Sequence, residues 1–183
     1  GFKGSWLSIW MKILGAEVTG ISLPPEGKKN IFEINNLKKK IHKSIYLNIK
    51  NRKKLQNKII AANPQIIFHL AAQPLVIESY KNPLNTIETN ILGTANILEI
   101  SKKIKTLKII IIVTTDKVYK NINKKSFINE NDQLGGDDIY SFSKASVELL
   151  VNSYKKSFFN NNKKIVTVRA GNVIGGGDWS NNR

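Results

Sequence analysis

Ile109-Ile-Ile-Ile-Val-Thr-Thr-Asp-Lys117 passes without a break from apolar residues to polar ones. Such a β-branched run reads as a strand buried on both faces, with the polar group at its carboxyl end. Open α/β sheets place their ligands beyond the carboxyl ends of their strands. Thr114, Thr115, Asp116 and Lys117 are therefore candidate site residues; the alternative is a solvated loop in which Asp116 and Lys117 form a weak surface pair. One helix later comes Tyr140-Ser-Phe-Ser-Lys144. A spacing of four puts Tyr140 and Lys144 on one helix face, where the ammonium favours the ionised phenol. A tyrosine so placed can take a proton from an alcohol.

Apolar strand-like runs alternate with helical ones along the rest of the chain, the pattern of a parallel sheet flanked by helices. Trp6, Leu7, Trp10, Met11 and Leu14 recur at helical spacing behind Gly4, and both tryptophans are expected in the core. Short strands follow at 17–21 and 44–47, then a helix from Asn51 to Ala62 that ends before Asn63-Pro64. The runs at 65–71 and 107–113 are expected as long strands buried on both faces, joined by a helix over 84–103. A helix over 140–158, a turn at Asn160-Asn-Asn162 and a strand over 165–168 complete the order. The fold class is α/β, a Rossmann-like doubly wound parallel sheet. Its opening strand is missing, because residue 1 already stands in the turn that such a strand would enter. Residues 1–170 form the nucleotide-binding domain, and 171–183 begin a substrate-binding region. The chain opens without methionine and stops after a glycine-rich turn, so it reads as an internal part of a longer protein.

The 183 residues are 41% hydrophobic and carry a formal charge of +16. A basic balance of that size raises nucleic-acid binding. Here the lysines are spread over nearly every helix and loop, the mark of a solvated surface and not of one binding face. There is no cysteine and there are only two histidines, so disulfides are excluded and no metal centre is expected. No run is long enough to span a membrane, and no secretory leader is visible.

Weaker signals sit around the two strong ones. Gly1-Phe-Lys-Gly4 at a helix start is either the end of a glycine loop that brings backbone amides to a pyrophosphate, or a plain turn. Ser22 stands where dinucleotide sites carry a ribose-binding acid. Leu70-Ala-Ala-Gln-Pro74 either lets the backbone approach a flat cofactor or packs a strand exit. His69 reads as a satisfied core histidine. Asn90 is either an exposed helix residue or one that reaches across to the sheet. Asn172, in the glycine-rich stretch after the last strand, is placed to reach a substrate or cofactor, and Gly135-Gly136 reads as the turn into the Tyr140 helix.

Taken together, Gly1-Phe-Lys-Gly-Ser-Trp6, Leu70-Ala-Ala-Gln-Pro-Leu-Val76, Thr89-Asn-Ile-Leu-Gly-Thr94, Thr115-Asp-Lys117, Tyr140 with Lys144, and Arg169-Ala-Gly-Asn-Val-Ile-Gly-Gly-Gly-Asp-Trp179 resemble the extended short-chain dehydrogenase/reductase family. Within it they look like the CDP-glucose 4,6-dehydratase branch, where Lys117 replaces a glutamate of related sugar-nucleotide dehydratases. The resemblance implies NAD as cofactor, held by Gly1, Phe2, Gly4, Ser22, Leu70, Ala71, Ala72, Tyr140 and Lys144. It implies CDP-glucose as substrate, touched by Gln73 and Asn172, and catalysis by Tyr140, Lys144, Thr115, Asp116 and Lys117. A cytoplasmic homo-oligomer with no nucleic-acid or membrane partner is expected. Asn48-Ile-Lys-Asn51 replaces a run that in relatives carries an adenine-binding aspartate. Another extended-family enzyme, an epimerase or a dTDP- or GDP-sugar dehydratase, is the alternative; a basic nucleic-acid-binding module is the non-enzymatic one.

Overall fold

The computed structural model of the chain describes residues 1–25, 27, 29–120, 127–159 and 163–179. The expected turn at 160–162 lies outside them. Helix α1 (Phe2–Ile13) leads to β1 (Thr19–Ser22), the short helices α2 (Ile31–Ile34) and α3 (Leu37–Lys40), and β2 (Lys43–Tyr46). Then come α4 (Arg52–Ala62), β3 (Ile66–His69), α5 (Val76–Lys81), α6 (Pro83–Ile87), a π-helical turn (Glu88–Leu92) and α7 (Gly93–Ser101). β4 (Ile109–Thr115), a 3-10 turn (Asp116–Val118), α8 (Ile139–Phe158) and β5 (Lys164–Ala170) follow.

All strand pairing is parallel, as the alternating pattern demands. The strands form two blocks, β1-β2 and β3-β4-β5. A doubly wound sheet sets a further strand between two such blocks. The blocks nevertheless share one core. Ile21 and Leu47 from the first pack on the cluster of Leu55, Leu98, Ile110, Ile112, Val147 and Ile165. Gly93 of α7 stands against the segment after β2. A Cβ there would lie 2.5 Å from Cδ1 of Ile49, so a larger residue would make that side chain shift.

Local signals account for the helix ends. Asn51 accepts a hydrogen bond from the Lys54 amide and caps α4, and Asn63 ends it in the left-handed conformation. Asp138 caps α8 by accepting from the Ser141 amide at 2.9 Å. The helix expected over 84–103 is real but interrupted. One extra residue per turn at 88–92 makes it π-helical, and α5 before it was not foreseen because it is only six residues long.

Two burial expectations are corrected. Trp6 and Trp10 are 48% and 61% exposed, because α1 lies against the 175–177 segment and α2 and contributes nothing to the main core cluster. The central strands are not buried on both faces. In β4, buried residues alternate with half-buried ones, and Ile66 of β3 is exposed. One face of this block packs on helices, while the other is only partly covered.

His69 behaves as the sequence reading expected. It is buried and its Nε2 lies 3.0 Å from Oγ1 of Thr94. Burial, reinforced by the Lys144 charge, pushes its pKa down to about 3. An unfolded chain binds a proton at this histidine below its ordinary value of 6.5 while the folded chain refuses it until about 3. Stability is therefore lost as pH falls through that window, by at most about 1.4 kcal/mol per pH unit. Urea titrations between pH 7 and pH 4 should show a shallower loss for His69→Gln than for the parent chain.

Candidate active site

The candidate residues gather at the carboxyl ends of the parallel strands. Ser22 closes β1, Leu70 follows β3, Asp116 follows β4 and Gly171 follows β5. Thr115 and Ala170 pair in register across β4 and β5. Their successors therefore meet: a Cβ on Gly171 would stand 3.4 Å from Oδ2 of Asp116.

The long helix α8 supplies the second half of the site. Tyr140 and Lys144 both lie on its buried face, and Lys144 is only 7% exposed. The Lys144 ammonium donates to the carbonyl oxygen of Val113 at 3.2 Å, which ties the helix to β4 just before its polar end. Burial and, after it, the charge of Lys3 lower the Lys144 pKa to about 8, against the opposing charge of Glu148. The 3-10 turn carrying Asp116 and Lys117 packs against α8. Thr115, Asp116 and Lys117 are thus brought alongside the Tyr140 helix, as the sequence spacing suggested.

Within that turn, the Thr115 hydroxyl donates to Oδ1 of Asp116 at 3.0 Å. Asp116 and Lys117 are themselves exposed.

The loop after β3 is held more tightly than sequence could tell. Asn90 is buried in the π-helical turn, and its Oδ1 accepts from the Gln73 amide at 2.8 Å. Its Nδ2 donates to the Gln73 carbonyl at 3.1 Å and to Oγ of Ser143 at 2.8 Å. Ser143 in turn donates to the Tyr140 carbonyl at 2.7 Å. The Leu70-Ala71-Ala72 segment is therefore fixed to the tyrosine helix through one amide side chain. Gln73 spends its own amide on its loop, donating to the Leu75 carbonyl at 3.0 Å and to Thr86 at 2.8 Å, and accepting from the Leu75 amide. Both of its N–H donors are used, while its oxygen keeps one lone pair. Ser22 donates to the neighbouring Leu23 carbonyl at 2.8 Å, and Asn172 is exposed after β5. The 171–179 stretch folds back on α1: the Trp6 indole donates to the Gly176 carbonyl at 2.9 Å.

Two residues of this neighbourhood were not singled out from sequence, Glu148 and Arg169 as a pair. Glu148 follows Lys144 by four and lies between the apolar Val147 and Leu149. A carboxylate recurring on the Tyr140 face was the available signal.

The family described as GDP-mannose 4,6 dehydratase matches residues 1–172. The chain belongs to this family. It is 42% identical to the CDP-glucose 4,6-dehydratase of Salmonella typhimurium, over all of this chain and 52% of that protein. It is 34% identical to the dTDP-D-glucose 4,6-dehydratase of Dictyostelium discoideum, over 96% of this chain and 42% of that one. Among solved structures, a UDP-glucose 4-epimerase of Thermotoga maritima superposes with a TM-score of 0.80 at 25% identity, over 92% of this chain and 52% of that one. A Thermus thermophilus UDP-glucose 4-epimerase in complex with NAD superposes with a TM-score of 0.79 at 23% identity, over 92% of this chain and 51% of that one. The family thus confirms the resemblance and the Rossmann-like fold, and the chain spans about half the length of these relatives. Among the described residues, no helix is long and apolar enough to cross a membrane.

The burial of Lys144 has a thermodynamic signature. Its folded pKa of about 8 lies below the ordinary 10.5, so between these values the unfolded chain binds the extra proton. Stability contributed through this group rises with pH across that window. Denaturant midpoints measured from pH 7.5 to pH 10 should climb more steeply for the parent chain than for Lys144→Met.

Proposed function

We propose that the protein to which this chain belongs is a sugar-nucleotide 4,6-dehydratase that converts CDP-glucose to CDP-4-keto-6-deoxyglucose and water with NAD as resident cofactor. The observation that carries the proposal is the packing of the Asp116–Lys117 turn against the Tyr140–Lys144 helix. Redox and elimination groups then share one strand end. The 42% identity to a CDP-glucose 4,6-dehydratase supports this choice over its rivals.

The residues present fit a dinucleotide. Gly1 caps a twelve-residue helix, and a Cβ on Gly1 or Gly4 would meet nothing within 4 Å, so the first turn is open to a ligand. The amides at the start of a helix suit a pyrophosphate. Phe2 flanks them, Ser22 stands at the ribose position, and Leu70, Ala71 and Ala72 offer a small-residue wall held by Asn90. NAD held by these residues would supply a hydride acceptor for the sugar's fourth carbon and, once reduced, a donor for the sixth.

The chain's own groups move the protons. Tyr140, as phenolate, takes the proton of the hydroxyl on the fourth carbon, and the Lys144 ammonium stabilises that phenolate. The resulting ketone acidifies the hydrogen on the fifth carbon. Lys117 removes it while Asp116, oriented by Thr115, protonates the hydroxyl leaving the sixth carbon as water. Lys117 returns its proton to the fifth carbon as the sixth is reduced. Asn172, beside Asp116 at the end of β5, contacts the sugar, and Gln73 holds the loop beneath it. Substrate seated over Asp116 and Lys117 provides the desolvation that both roles need.

The same exposed faces support the expected homo-oligomer. Ile77, Tyr80 and Leu84 from α5 and α6 stand exposed beside Phe142 and Leu149 of α8, the helices they pack against. An assembly of two copies would cover them.

Incubating the full-length protein with CDP-glucose, UDP-glucose and dTDP-glucose tests the assignment. CDP-glucose should be turned over fastest, and preference for either rival, or a 4-epimer as the product, would replace it. Steep salt-dependent binding of DNA or RNA with no NAD affinity would favour the nucleic-acid module. Tyr140→Phe should lower turnover by about 100-fold or more and abolish the 340 nm absorbance of reduced cofactor on adding substrate. Lys117→Glu with full dehydration would remove the lysine from the mechanism.

A further inference from the structure

Among the described residues, Glu148 is the one buried carboxylate, 6% exposed. It follows Tyr140 by eight positions and Lys144 by four, on the same face of α8. One of its oxygens accepts from the Thr114 hydroxyl, the other from Thr167 at 2.7 Å and from Nη2 of Arg169 at 3.0 Å. Burial alone would push the Glu148 carboxyl up; bonds from Arg169, Thr114 and Thr167 outweigh it and hold it below the usual range. The other arm of Arg169, Nη1, donates to the Tyr119 hydroxyl at 3.0 Å and to the Glu130 carbonyl at 2.9 Å. Its guanidinium also lies 5.0 Å from the centre of the Tyr119 ring.

Thr114 and Tyr119 bracket the Thr115–Val118 segment, so the ion pair grips the candidate acid/base turn on both sides. Within the turn only the Thr115–Asp116 bond is short, at 3.0 Å; the Lys117 amide reaches Oγ1 of Thr115 and the Tyr119 amide reaches the Asp116 carbonyl at 3.4 Å each, long for such bonds. Two backbone bonds hold its far end, from the Gly135 amide to the Val118 carbonyl and from the Lys120 amide to the Gln133 carbonyl, both 2.8 Å, and the ion pair is the side-chain hold. Stability alone does not explain a buried pair, because apolar side chains of similar volume usually serve at least as well. Geometry does explain it. The pair joins α8, β4, β5 and the segment after the turn, which are the four pieces whose relative placement fixes Asp116 and Lys117 against Tyr140.

We propose that the Glu148–Arg169 pair is a positioning device that locks the Asp116–Lys117 turn in register with the Tyr140–Lys144 helix. Its catalytic consequence rests on the dehydratase reading; the locking itself does not. Neither residue need touch the substrate. Glu148 also supplies the negative charge opposing Lys3 at Lys144, the other neighbour being His69, held neutral on β3.

Hydrogen exchange on the full-length protein tests the locking without reference to substrate. In Glu148→Gln, amides of 117–120 should exchange about tenfold or more faster, while those in the middle of α8 stay as in the parent. Tyr119→Phe leaves the ion pair intact and removes one strut; it should show the same pattern, smaller, and covers the case in which Glu148→Gln does not fold. In turnover assays kcat should fall about 10- to 100-fold in Glu148→Gln with KM nearly unchanged. The alkaline limb of its pH profile should move to lower pH, because Lys144 loses the charge that helps keep it protonated, whereas Tyr119→Phe should leave that limb in place. Unchanged exchange at 117–120 in the folded variants, or a uniform rise over the whole chain, overturns the proposal. A parent protein that turns over no sugar nucleotide overturns the dehydratase reading and leaves the exchange result to judge the locking.

Discussion

The buried ammonium of Lys144 is the constraint on which the rest of the site depends. A cation shielded from water needs fixed partners, and this one finds a backbone carbonyl on β4 and, one helical turn away, a carboxylate. Those partners dictate how α8 lies on the sheet. Tyr140 comes with it, since the spacing of four leaves it on the same face. Once α8 is placed, the turn after β4 has a surface to pack on and the loop after β3 has Ser143 to anchor Asn90. Fold and site are in this sense one arrangement, built around a charge that the core tolerates only where it is held.

Much of this could be read before any coordinates. The apolar run at 109–113 ending in polar residues predicts a strand end with chemistry on it, and the strand and its polar exit are where that reading puts them. The Tyr140 helix, the Asn51 and Asn63 ends of α4 and the buried neutral His69 were legible because each rests on local chemistry: periodicity, capping, or one polar group in an apolar run. Trp6 and Trp10 were misread because helical spacing says which residues share a face, not whether anything covers that face. The two-sided burial expected of β3 and β4 failed for the same reason.

What sequence concealed was tertiary. Asn90 looks like any helix asparagine until the π-helical turn aims it at Gln73. Arg169 looks like an ordinary strand residue until β5 pairs with β4 and brings it to Glu148. Gln73, which the resemblance assigns to the substrate, has its amide engaged in its own loop, a tertiary detail that no local pattern carries. Long-range hydrogen bonds of this kind leave no periodic trace, so a charged or amide side chain within an apolar face is the best available warning.

In the proposed reaction, one strand end serves oxidation, loss of water and reduction in a single closed cycle. Transfer of an isotope within one sugar tests it most directly. With the full-length protein, CDP-glucose deuterated at the fourth carbon and mixed with unlabelled substrate should give product carrying the deuterium at the sixth carbon, with no crossover to unlabelled molecules. Loss of the label to solvent, or its return to the fourth carbon with inverted configuration, would contradict the claim.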